Sequence, residues 1–404
     1  MALLILLLSL PAALLLVLAA LLLVEVLGGR GLKPQAPATN GPRPWVAVLI
    51  PAHNEAAGVA ATVQAVRAQL QPGDRVLVVA DNCSDATAAV ARAAGAEVSE
   101  RFDTELRGKG YALDHGVRRL AADPPEVLLI LDADCRLHDG ALDRLVRAVA
   151  RHGRPAQALY LMEPPPADAG LRLRFGTFAW RVKNQLRPAG YARWGGPCHL
   201  MGTGMAFPWP VIEAAPLATG HLAEDMELGI QLALRGQAAR FEPGALVTSR
   251  FPDTEGSAKQ QRTRWEHGHL SVLLQHGPRL LAQGLGAGRP EAVALALDLM
   301  IPPLALLALA IGALAVVGAV VWALLGSALP FALAVLAGVA LVAAVAIAWT
   351  AVGRDCLRPG ELLRAPLYLL WKLPLYAAFV FKRQRGWVRA KRDGEGDVRE
   401  GDVR

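Results

Sequence analysis

The pattern of hydrophobic positions divides the chain into an apolar N-terminal segment, a mixed central region and an apolar C-terminal third. Met1 to Val24 carries no charged side chain and is long enough, at about 1.5 Å per residue, to cross a bilayer of about 30 Å. A secretory signal peptide is the alternative, but the run lacks a basic beginning and is longer than an ordinary signal core. Arg30, Lys33 and Arg43 follow the run, so the positive-inside rule places the next region in the cytoplasm and the N-terminus outside.

In the central region, short apolar runs alternate with amphipathic stretches from Trp45 to about Arg250. Each run is apolar at every position, which is typical of strands that are covered on both faces. Strands that alternate with helices in this way predict a parallel α/β sheet. The predicted strands are 45–50, 75–80 and 127–131, and the predicted helices are 57–70, 85–94, 109–120 and 140–151.

The C-terminal third has the length and composition of membrane helices. No charged side chain occurs from Leu299 to Gly353, and this run is too long for one membrane helix and suits two, with a turn near Gly326 to Pro330. A further apolar stretch, Ala365 to Phe381, is interrupted by Lys372 and by prolines and is followed by basic residues. A third full span would place those basic residues outside, so this stretch is predicted to be an interfacial or re-entrant helix.

These patterns predict the organisation of the whole chain. The predicted regions are an N-terminal transmembrane helix over 1–27, a linker over 28–44, the α/β domain over 45–255, interfacial helices over 256–292, a transmembrane hairpin over 293–353, an interfacial or re-entrant helix with a basic tail over 354–392, and a disordered end over 393–404. Arg172 to Arg187, with several aromatic residues, is a further candidate for an amphipathic helix resting on the membrane.

Composition agrees with an integral membrane protein that has a soluble part, since hydrophobic residues make up 53% of the chain and charged residues 19%. The net charge of +7 is not arranged as a basic stripe interleaved with aromatic residues, so nucleic acid is not an expected partner. The cysteines show no C-x-x-C spacing, which argues against a zinc site or a disulfide framework and favours small buried side chains. The cysteines are Cys83, Cys135, Cys198 and Cys356.

Acidic residues follow two of the predicted strands at their carboxyl ends, where parallel sheets bind ligands. Asp132 and Asp134 end the third strand, and residues two apart on a strand face the same way, so both carboxylates can reach one ligand. Such a pair suits Mg²⁺ or Mn²⁺, which prefer oxygen ligands and bridge to phosphates, and a solvated strand end is the structural alternative. Asp81 ends the preceding strand and is expected to face the same cleft. Ala52 and Glu55 close the first strand, where backbone and carboxylate can meet a nucleoside.

Three other segments are candidates for binding or catalysis. Lys109 stands between glycines at the start of a predicted helix, which favours an anion although the spacing is not that of a phosphate-binding P-loop. Glu224 and Asp225 precede another predicted helix, either as favourable helix-start acidity or as a base for an attacking hydroxyl. The glycine-bracketed turn Met201 to Gly204 would let a substrate approach the backbone closely.

Just ahead of the predicted hairpin, Gln261, Arg264 and Trp265 are spaced at i, i+3 and i+4 and therefore share one face of a helix. This face combines an amide, a permanent positive charge and a flat apolar ring. Such a combination suits a phosphate held beside a sugar. Its place next to the predicted membrane hairpin favours an enzyme that uses a charged soluble donor at the bilayer surface.

The order of these motifs resembles the membrane-integrated family 2 glycosyltransferases, which include the cellulose, chitin, hyaluronan and poly-N-acetylglucosamine synthases. The resemblance covers Trp45 to the end of the predicted hairpin. It implies a GT-A fold, which is Rossmann-like with a mostly parallel sheet, and inverting transfer from a nucleotide sugar, usually a UDP-sugar, to an acceptor hydroxyl. Ala223 stands where many members have threonine, and the turn Gly202 to Gly204 replaces the aromatic-containing loop of the cellulose synthases. These departures and the small number of spans argue against a channel for a secreted polymer. They do not affect the expected fold or transfer chemistry.

The resemblance also implies roles for individual residues. The donor would be bound by Ala52, Glu55, Asp81, Lys109, Asp132, Gln261 and Arg264. Mg²⁺ or Mn²⁺ would be held by Asp134 and Asp132, and the catalytic residues would be Asp225, as general base, and Glu224 beside it. The acceptor would contact Trp265, Gly202, Thr203 and Gly204.

The expected protein is a multi-pass enzyme of the bacterial inner membrane with a cytoplasmic catalytic domain, acting in cell-envelope polysaccharide or glycolipid synthesis. Its partners would be a UDP-sugar, a lipid-linked or polysaccharide acceptor, the lipid bilayer and, for an exported product, further subunits. Repeated extension of a polymer and a single addition to a lipid-linked acceptor both fit the motifs. A membrane-anchored, non-catalytic sensor of nucleotide sugars, or a scaffold, is the alternative outside enzymes.

Overall fold

The computed structural model describes residues 2–32, 42–166, 168–221, 223–251 and 255–381. Part of the predicted linker (33–41), the predicted basic tail after residue 381 and the predicted disordered end lie outside these residues. The strands are β1 (Val46–Ala52), β2 (Arg75–Asp81), β3 (Glu97–Arg101), β4 (Val127–Ile130), β5 (Arg136–Leu137), β6 (Ala156–Met162), β7 (Met205–Pro208) and β8 (Arg240–Ser249).

The helices fall into a group that comes before β8 in the chain and a group that follows it. The first group is α1 (Ala2–Gly29), α2 (Val59–Arg67), α3 (Thr87–Ala93), α4 (Lys109–Leu120), α5 (Ala141–His152), α6 (Leu171–Arg181), a π-helical turn (Val182–Leu186), α7 (Arg187–Arg193), α8 (Trp209–Glu213) and α9 (Glu224–Leu234). The second group is α10 (Glu255–Gly286), α11 (Pro290–Met300), α12 (Leu304–Leu325), α13 (Leu329–Ala348), a π-helical turn (Trp349–Gly353), α14 (Pro359–Leu362) and α15 (Ala365–Phe381).

One sheet with the strand order β3-β2-β1-β4-β7-β6-β8-β5 forms the centre of the soluble part. Strands β3, β2, β1 and β4 are parallel, whereas β7 runs antiparallel to both of its neighbours. The predicted α/β fold with a mostly parallel sheet is therefore confirmed, and the predicted strands 45–50, 75–80 and 127–131 correspond to β1, β2 and β4. The predicted helices correspond to α2, α3, α4 and α5 with small differences at their ends.

Both faces of the sheet are buried, which explains why the strands are apolar at every position. Along β1, Val46, Val48 and Ile50 belong to a core on one face that includes residues of α2 and α5. Ala47 and Leu49 belong to a second core on the opposite face, which includes residues of α4 and α9. Since successive side chains of a strand point to opposite faces, β1 supplies both cores at once.

Three helical segments are long and apolar enough to cross a membrane, judged by length and composition: Ile5–Gly29, Leu304–Leu325 and Leu329–Gly353. They pack together, and large apolar side chains on their outer surfaces, such as Val316 and Val339, are exposed. The first helix of the hairpin begins at Leu304 and not at residue 293, because α11 comes first and ends before two consecutive prolines. The 17-residue helix α15 was predicted to be interfacial or re-entrant, and this stays a prediction.

The predicted membrane-surface helix over 172–187 is helical, but its aromatic face does not lie open to lipid. Phe175 and Phe178 are buried in the cluster that contains Leu22 of α1 and Leu341 of α13. The prediction was wrong on this point because the apolar face of α6 is covered by the membrane-type helices of the same chain.

A buried ion cluster joins α1 to the soluble part. The Nε of Arg187, on α7, donates to Glu25 Oε2 of α1 at 2.7 Å, and Nη2 of Arg187 donates to the backbone oxygen of Asp298 at 2.7 Å and also contacts its carboxylate. His199 Nε2 lies 3.2 Å from the Asp298 carboxylate. The helices approach closely here, since a Cβ at Gly190 would lie 2.2 Å from the backbone oxygen of Glu25. The cluster therefore fixes α1 against the domain.

We expect Arg187→Gln to destabilise the protein strongly, because two buried carboxylates would lose their partner, at a cost of about 3–5 kcal/mol. Arg193→Gln is the matched control, since Arg193 is exposed and donates only to the backbone oxygens of Gly28 and Arg30. Thermal unfolding of the purified protein measures the difference. Equal and small losses for both variants would contradict a structural role for the cluster.

Candidate active site

A cleft of about 1020 Å³ opens at the carboxyl edge of the parallel strands. The strands β1, β2 and β4 end side by side at this edge, as expected for the ligand-binding edge of an α/β sheet. The residues that follow the three strands line the cleft together, as predicted: Ala52, Glu55, Asp81, Asp132 and Asp134.

Two asparagines turn the chain at this edge. Asn54 and Asn82 have φ angles of 54° and 51°, in the left-handed region that asparagine tolerates better than most residues. The Asn54 side-chain oxygen accepts the Ser84 N–H at 2.7 Å, and the Asn82 side-chain oxygen accepts the Asp103 N–H at 2.8 Å. These bonds connect the ends of β1, β2 and β3, so the backbone at this edge of the cleft is held in place without a ligand.

Lys109 is the positive centre among the acidic residues. Its Nζ lies 2.5 Å from Asp132 Oδ1 and donates to the backbone oxygen of Gly202 at 2.7 Å. Burial opposes charge on this lysine, yet the adjacent Asp132 carboxylate and further acidic neighbours raise its pKa. Lys109 thus remains a cation and holds Asp132 in place.

Asp132, Asp134 and Cys135 form a compact group of potential metal ligands, whose ligand atoms lie within 4.8 Å of one another. Burial raises the pKa of the Cys135 thiol well above its usual range, so the sulfur stays protonated and is a poor ligand. The remaining donors are carboxylate oxygens. This donor set fits Mg²⁺ or Mn²⁺ better than zinc.

Glu224 and Asp225 begin α9 and line the same cleft. Burial raises the pKa of Glu224 to about 7, with Lys109 opposing this shift and Asp225 adding to it. Burial also raises the pKa of Asp225. Gly202 fills the space between Asp225 and Lys109, since a Cβ there would lie 3.3 Å from Asp225 Oδ2 and 3.7 Å from Lys109 Nζ.

Only the first residue of the Gly202-Thr203-Gly204 turn reaches the cleft, so the predicted acceptor contacts of Thr203 and Gly204 are not supported. Thr203 is completely buried, and its hydroxyl accepts the Asp132 N–H at 3.0 Å. The backbone oxygen of Gly204 accepts the Ala158 N–H at 2.8 Å. Thr203 thus ties the start of β7 to the end of β4, and Gly204 ties it to β6.

The predicted helical face Gln261, Arg264 and Trp265 lies on α10 and lines the same cleft. The Trp265 ring packs against Trp180 with centroids 4.7 Å apart, and Trp180 in turn meets Tyr160 edge-on at 5.4 Å. These rings give the cleft one aromatic wall. Arg264 has no ion pair with any residue that the structure describes, so its charge is available to a ligand.

Helix α15 holds α10 from the side away from the sheet. Lys372 of α15 forms a buried ion pair with Glu266, and His267 Nε2 lies 3.2 Å from the backbone oxygen of Leu375. The Trp371 ring lies under two guanidinium groups, those of Arg172 at 4.5 Å and Arg262 at 5.0 Å. Arg262, Glu266 and His267 flank Arg264 and Trp265 in the chain. Their contacts with α15 therefore fix the orientation of the face of α10 that lines the cleft.

The cleft also contains residues that the sequence patterns did not indicate, among them Lys183, Arg187 and His269. Lys183 and Arg187 belong to the segment that was predicted to rest on the membrane. His269 follows Trp265 by four residues, so extending the predicted helical face by one turn would have found it.

Comparison with known proteins shows where the chain belongs. Residues 42–268 match the family described as "Glycosyltransferase like family 2". The probable glycosyltransferase YdaM of Bacillus subtilis is 29% identical over 245 residues, which are 57% of this chain and 57% of that protein. The poly-beta-1,6-N-acetyl-D-glucosamine synthase of Staphylococcus epidermidis is 23% identical over 257 residues, which are 57% of this chain and 56% of that protein. The match thus spans little more than half the length of these relatives.

Among solved structures, the mannosyltransferase PcManGT from Pyrobaculum calidifontis, in complex with GDP-Man and Mn²⁺, is 21% identical with a TM-score of 0.49. The comparison covers 83% of this chain and 99% of PcManGT. The family match includes more than half of the chain, from before β1 to the Gln261-Arg264-Trp265 face of α10. The chain therefore belongs to the family 2-like glycosyltransferases.

Proposed function

We propose that the protein transfers a sugar, with inversion, from a UDP-sugar to an acceptor hydroxyl at the cytoplasmic face of the bacterial inner membrane. One observation carries this proposal: a single cleft contains the acidic strand ends, the Glu224-Asp225 pair and the Gln261-Arg264-Trp265 face. These elements supply, in one place, groups for a nucleotide, for a diphosphate and for proton removal.

The donor is assigned to the strand-end side of the cleft. Glu55 and Asp81 would contact the nucleoside, together with the backbone at Ala52, while Gln261 and Arg264 would bind the diphosphate. The oxygen donors of Asp132 and Asp134 would hold Mg²⁺ or Mn²⁺, which when bound offsets the negative charge of the leaving diphosphate. The nearby charge of Arg264 acts in the same direction.

Asp225 is assigned as the general base. Burial raises the pKa of Asp225 and makes it a stronger base than an exposed aspartate. The positive charge of Lys109 acts in the opposite direction and stabilises the ionised carboxylate. The acceptor hydroxyl gives its proton to the Asp225 carboxylate as its oxygen bonds to the anomeric carbon, and the bond to the diphosphate breaks. A single displacement of this kind inverts the anomeric centre. Trp265 would contact the acceptor.

The apolar helices favour an acceptor at the membrane, in the synthesis of a cell-envelope polysaccharide or glycolipid. With three candidate spans described, an exported polymer would need additional subunits or copies of the chain for its passage. The rival function is a sensor or scaffold that binds nucleotide sugar without turnover. Release of UDP over many turnovers, measured for the detergent-purified protein against a panel of UDP-sugars, tests the proposal, and binding without turnover for every donor would favour the rival.

We expect Asp225→Asn to lower UDP release by about 10²–10⁴-fold while leaving nucleotide affinity largely intact, because the amide cannot accept the proton. Glu227→Gln is the matched control: Glu227 lies in the same helical turn and faces His221 at 3.5 Å. Normal UDP release by Asp225→Asn would remove the general-base assignment.

Asp134→Ala should abolish the Mn²⁺-dependent part of UDP binding, because one of the two carboxylates in the proposed metal site is lost. Asp139→Ala, at an exposed position a few residues further on, should leave that binding unchanged. Titration of UDP with and without Mn²⁺ gives the comparison. An unchanged dependence on Mn²⁺ in Asp134→Ala would show that the metal binds elsewhere.

Gly202→Ala should reduce turnover more than tenfold, since the new methyl group would press on the Asp225 carboxylate and the φ angle is +86°. A left-handed conformation alone costs an L-residue about 1–2 kcal/mol. Gly73→Ala carries the same kind of backbone penalty, at φ +95°, but its Cβ would meet nothing within 4 Å. Comparable losses of turnover in the two variants would mean that general destabilisation, and not crowding of the base, is responsible.

A further inference from the structure

The cleft contains more positive charge than the donor site requires. Its basic lining residues are Arg107, Lys109, Lys183, Arg187 and Arg264. Lys109 is paired with Asp132, Arg187 is paired with Glu25 and Asp298, and Arg107 lies exposed on its loop. Arg264 is assigned to the donor diphosphate. Arg107 and Lys183 are both exposed, and neither side chain has a hydrogen bond or ion pair with any described residue. Of the two, Lys183 lies near His269.

Lys183 is placed in the cleft by the π-helical turn between α6 and α7. Its neighbours Val182, Asn184 and Leu186 are buried, and the Asn184 amide donates to the Tyr160 backbone oxygen at 3.4 Å. The Lys183 side chain is instead open to the cleft. Turns of this rare type inside α-helices are frequent at functional sites.

Charged groups surround Lys183 on this side of the cleft. In addition to the effect of the surrounding protein, the nearby Arg187 lowers the pKa of Lys183, while Asp225 and Asp298 act in the opposite direction. An anion bound at its Nζ would favour the charged form further. The influence of Asp225 also places Lys183 on the side of the cleft where the proposed base removes a proton.

A second observation points to a ligand at the same place. His269 lines the cleft and is only 7% exposed, and neither of its ring nitrogens has a hydrogen-bond partner among the described residues. Burial and the proximity of Lys183 hold its pKa far below the usual range, so the ring is neutral and offers one N–H donor. A buried polar group without a partner costs about 1–3 kcal/mol, a cost that a bound ligand would remove.

Lys183 and His269 lie near the ion cluster that joins the cleft to the first candidate span. Arg187, one helical turn after Lys183, is bonded to Glu25 of the candidate span Ile5–Gly29 and to Asp298 shortly before the hairpin. The donor groups at Glu55 and Asp81 belong to the strand-end side. A group that enters from the bilayer surface would therefore meet Lys183 before it reached the strand ends.

We propose that Lys183 and His269 form a subsite for the phosphate of a lipid acceptor, in which a phosphodiester joins the lipid to a hydroxyl-bearing headgroup. This inference rests on the proposed function, because it assigns the acceptor class of the same cleft. Lys183 Nζ and the His269 N–H donate to the phosphate oxygens, and the headgroup hydroxyl is thereby presented to Asp225. No covalent step involves the subsite.

The test compares two short-chain lipids that both carry a hydroxyl but differ in phosphate: dioctanoyl phosphatidylglycerol and dioctanoylglycerol. Binding is measured with the full chain in a polyoxyethylene detergent, which contains neither sugar nor phosphate, in the presence of Mn²⁺ and UDP. We expect the wild type to bind the phospholipid at least tenfold more tightly than dioctanoylglycerol. Lys183→Met should abolish this preference, Lys183→Arg should restore most of it, and Arg193→Met, an exposed cation outside the cleft, should preserve it.

The affinity for UDP, measured for the same variants, separates the acceptor subsite from the donor site. Unchanged UDP affinity in Lys183→Met supports the subsite, whereas a tenfold loss would assign Lys183 to the donor diphosphate and overturn it. No preference for the phospholipid in the wild type, or equally strong binding of inorganic phosphate alone, would also overturn it. If the wild type bound the phospholipid but neither bound nor turned over any UDP-sugar, the proposed function would fail, and with it the assignment of this lipid as an acceptor.

Discussion

The contacts of the buried Arg187 guanidinium are the interaction on which the arrangement of the candidate membrane helices and the cleft depends. It contacts the carboxylates of Glu25 on α1 and Asp298 on α11 at once, in a region with little exposure to solvent. Buried charges are stable only when every partner is present, so this contact permits few alternative positions of α1 relative to α7. Since Arg187 also lines the cleft, the position of the first candidate span and the shape of this part of the cleft depend on the same group.

A second constraint acts at the strand ends, where the sheet collects carboxylates that repel one another. Asp132, Glu224 and Asp225 all have raised pKa values because they are buried and close together. Lys109 reduces that repulsion without removing it. The free protein therefore holds a surplus of negative charge beside the place assigned to the donor diphosphate. The carboxylates and a donor diphosphate would repel each other unless cations lie between them, which explains why a divalent metal fits this cleft.

The sequence predicts the acidic strand ends well because the physics is local. A strand covered on both faces is apolar at every position, so the end of the strand can be located in the sequence. The carboxyl ends of parallel strands lie at one edge of the sheet. This edge brings Asp81, Asp132 and Asp134 together. The position of β7 is not visible in this way, since its pairing with β4 joins segments far apart in the chain. Thr203 shows the consequence: a glycine-bracketed turn suggested ligand contact, but its hydroxyl is bonded to the backbone of Asp132.

The sequence spacing could have placed His269 on the predicted helical face, but nothing in the sequence shows that His269 and Lys183 lack partners among the described residues. Whether a lysine is paired depends on neighbours brought in by other elements. Of the acidic residues near Lys183, Asp298 is bound to Arg187 and Glu266 is bound to Lys372. In the same way, the aromatic residues of α6 were correctly seen as an apolar face, but the face is covered by α1 and α13.

The contact between α15 and α10 has a mechanical consequence. Trp371, Lys372 and Leu375 hold the helix that carries Arg264, while the opposite side of α15 exposes Leu367, Leu370 and Leu373. If those leucines are seated in the bilayer interface, lipid packing becomes a direct determinant of the geometry around the donor diphosphate. Lateral pressure, acyl-chain length or the choice of detergent would then act on the glycosyl-transfer step through a helix that touches neither substrate.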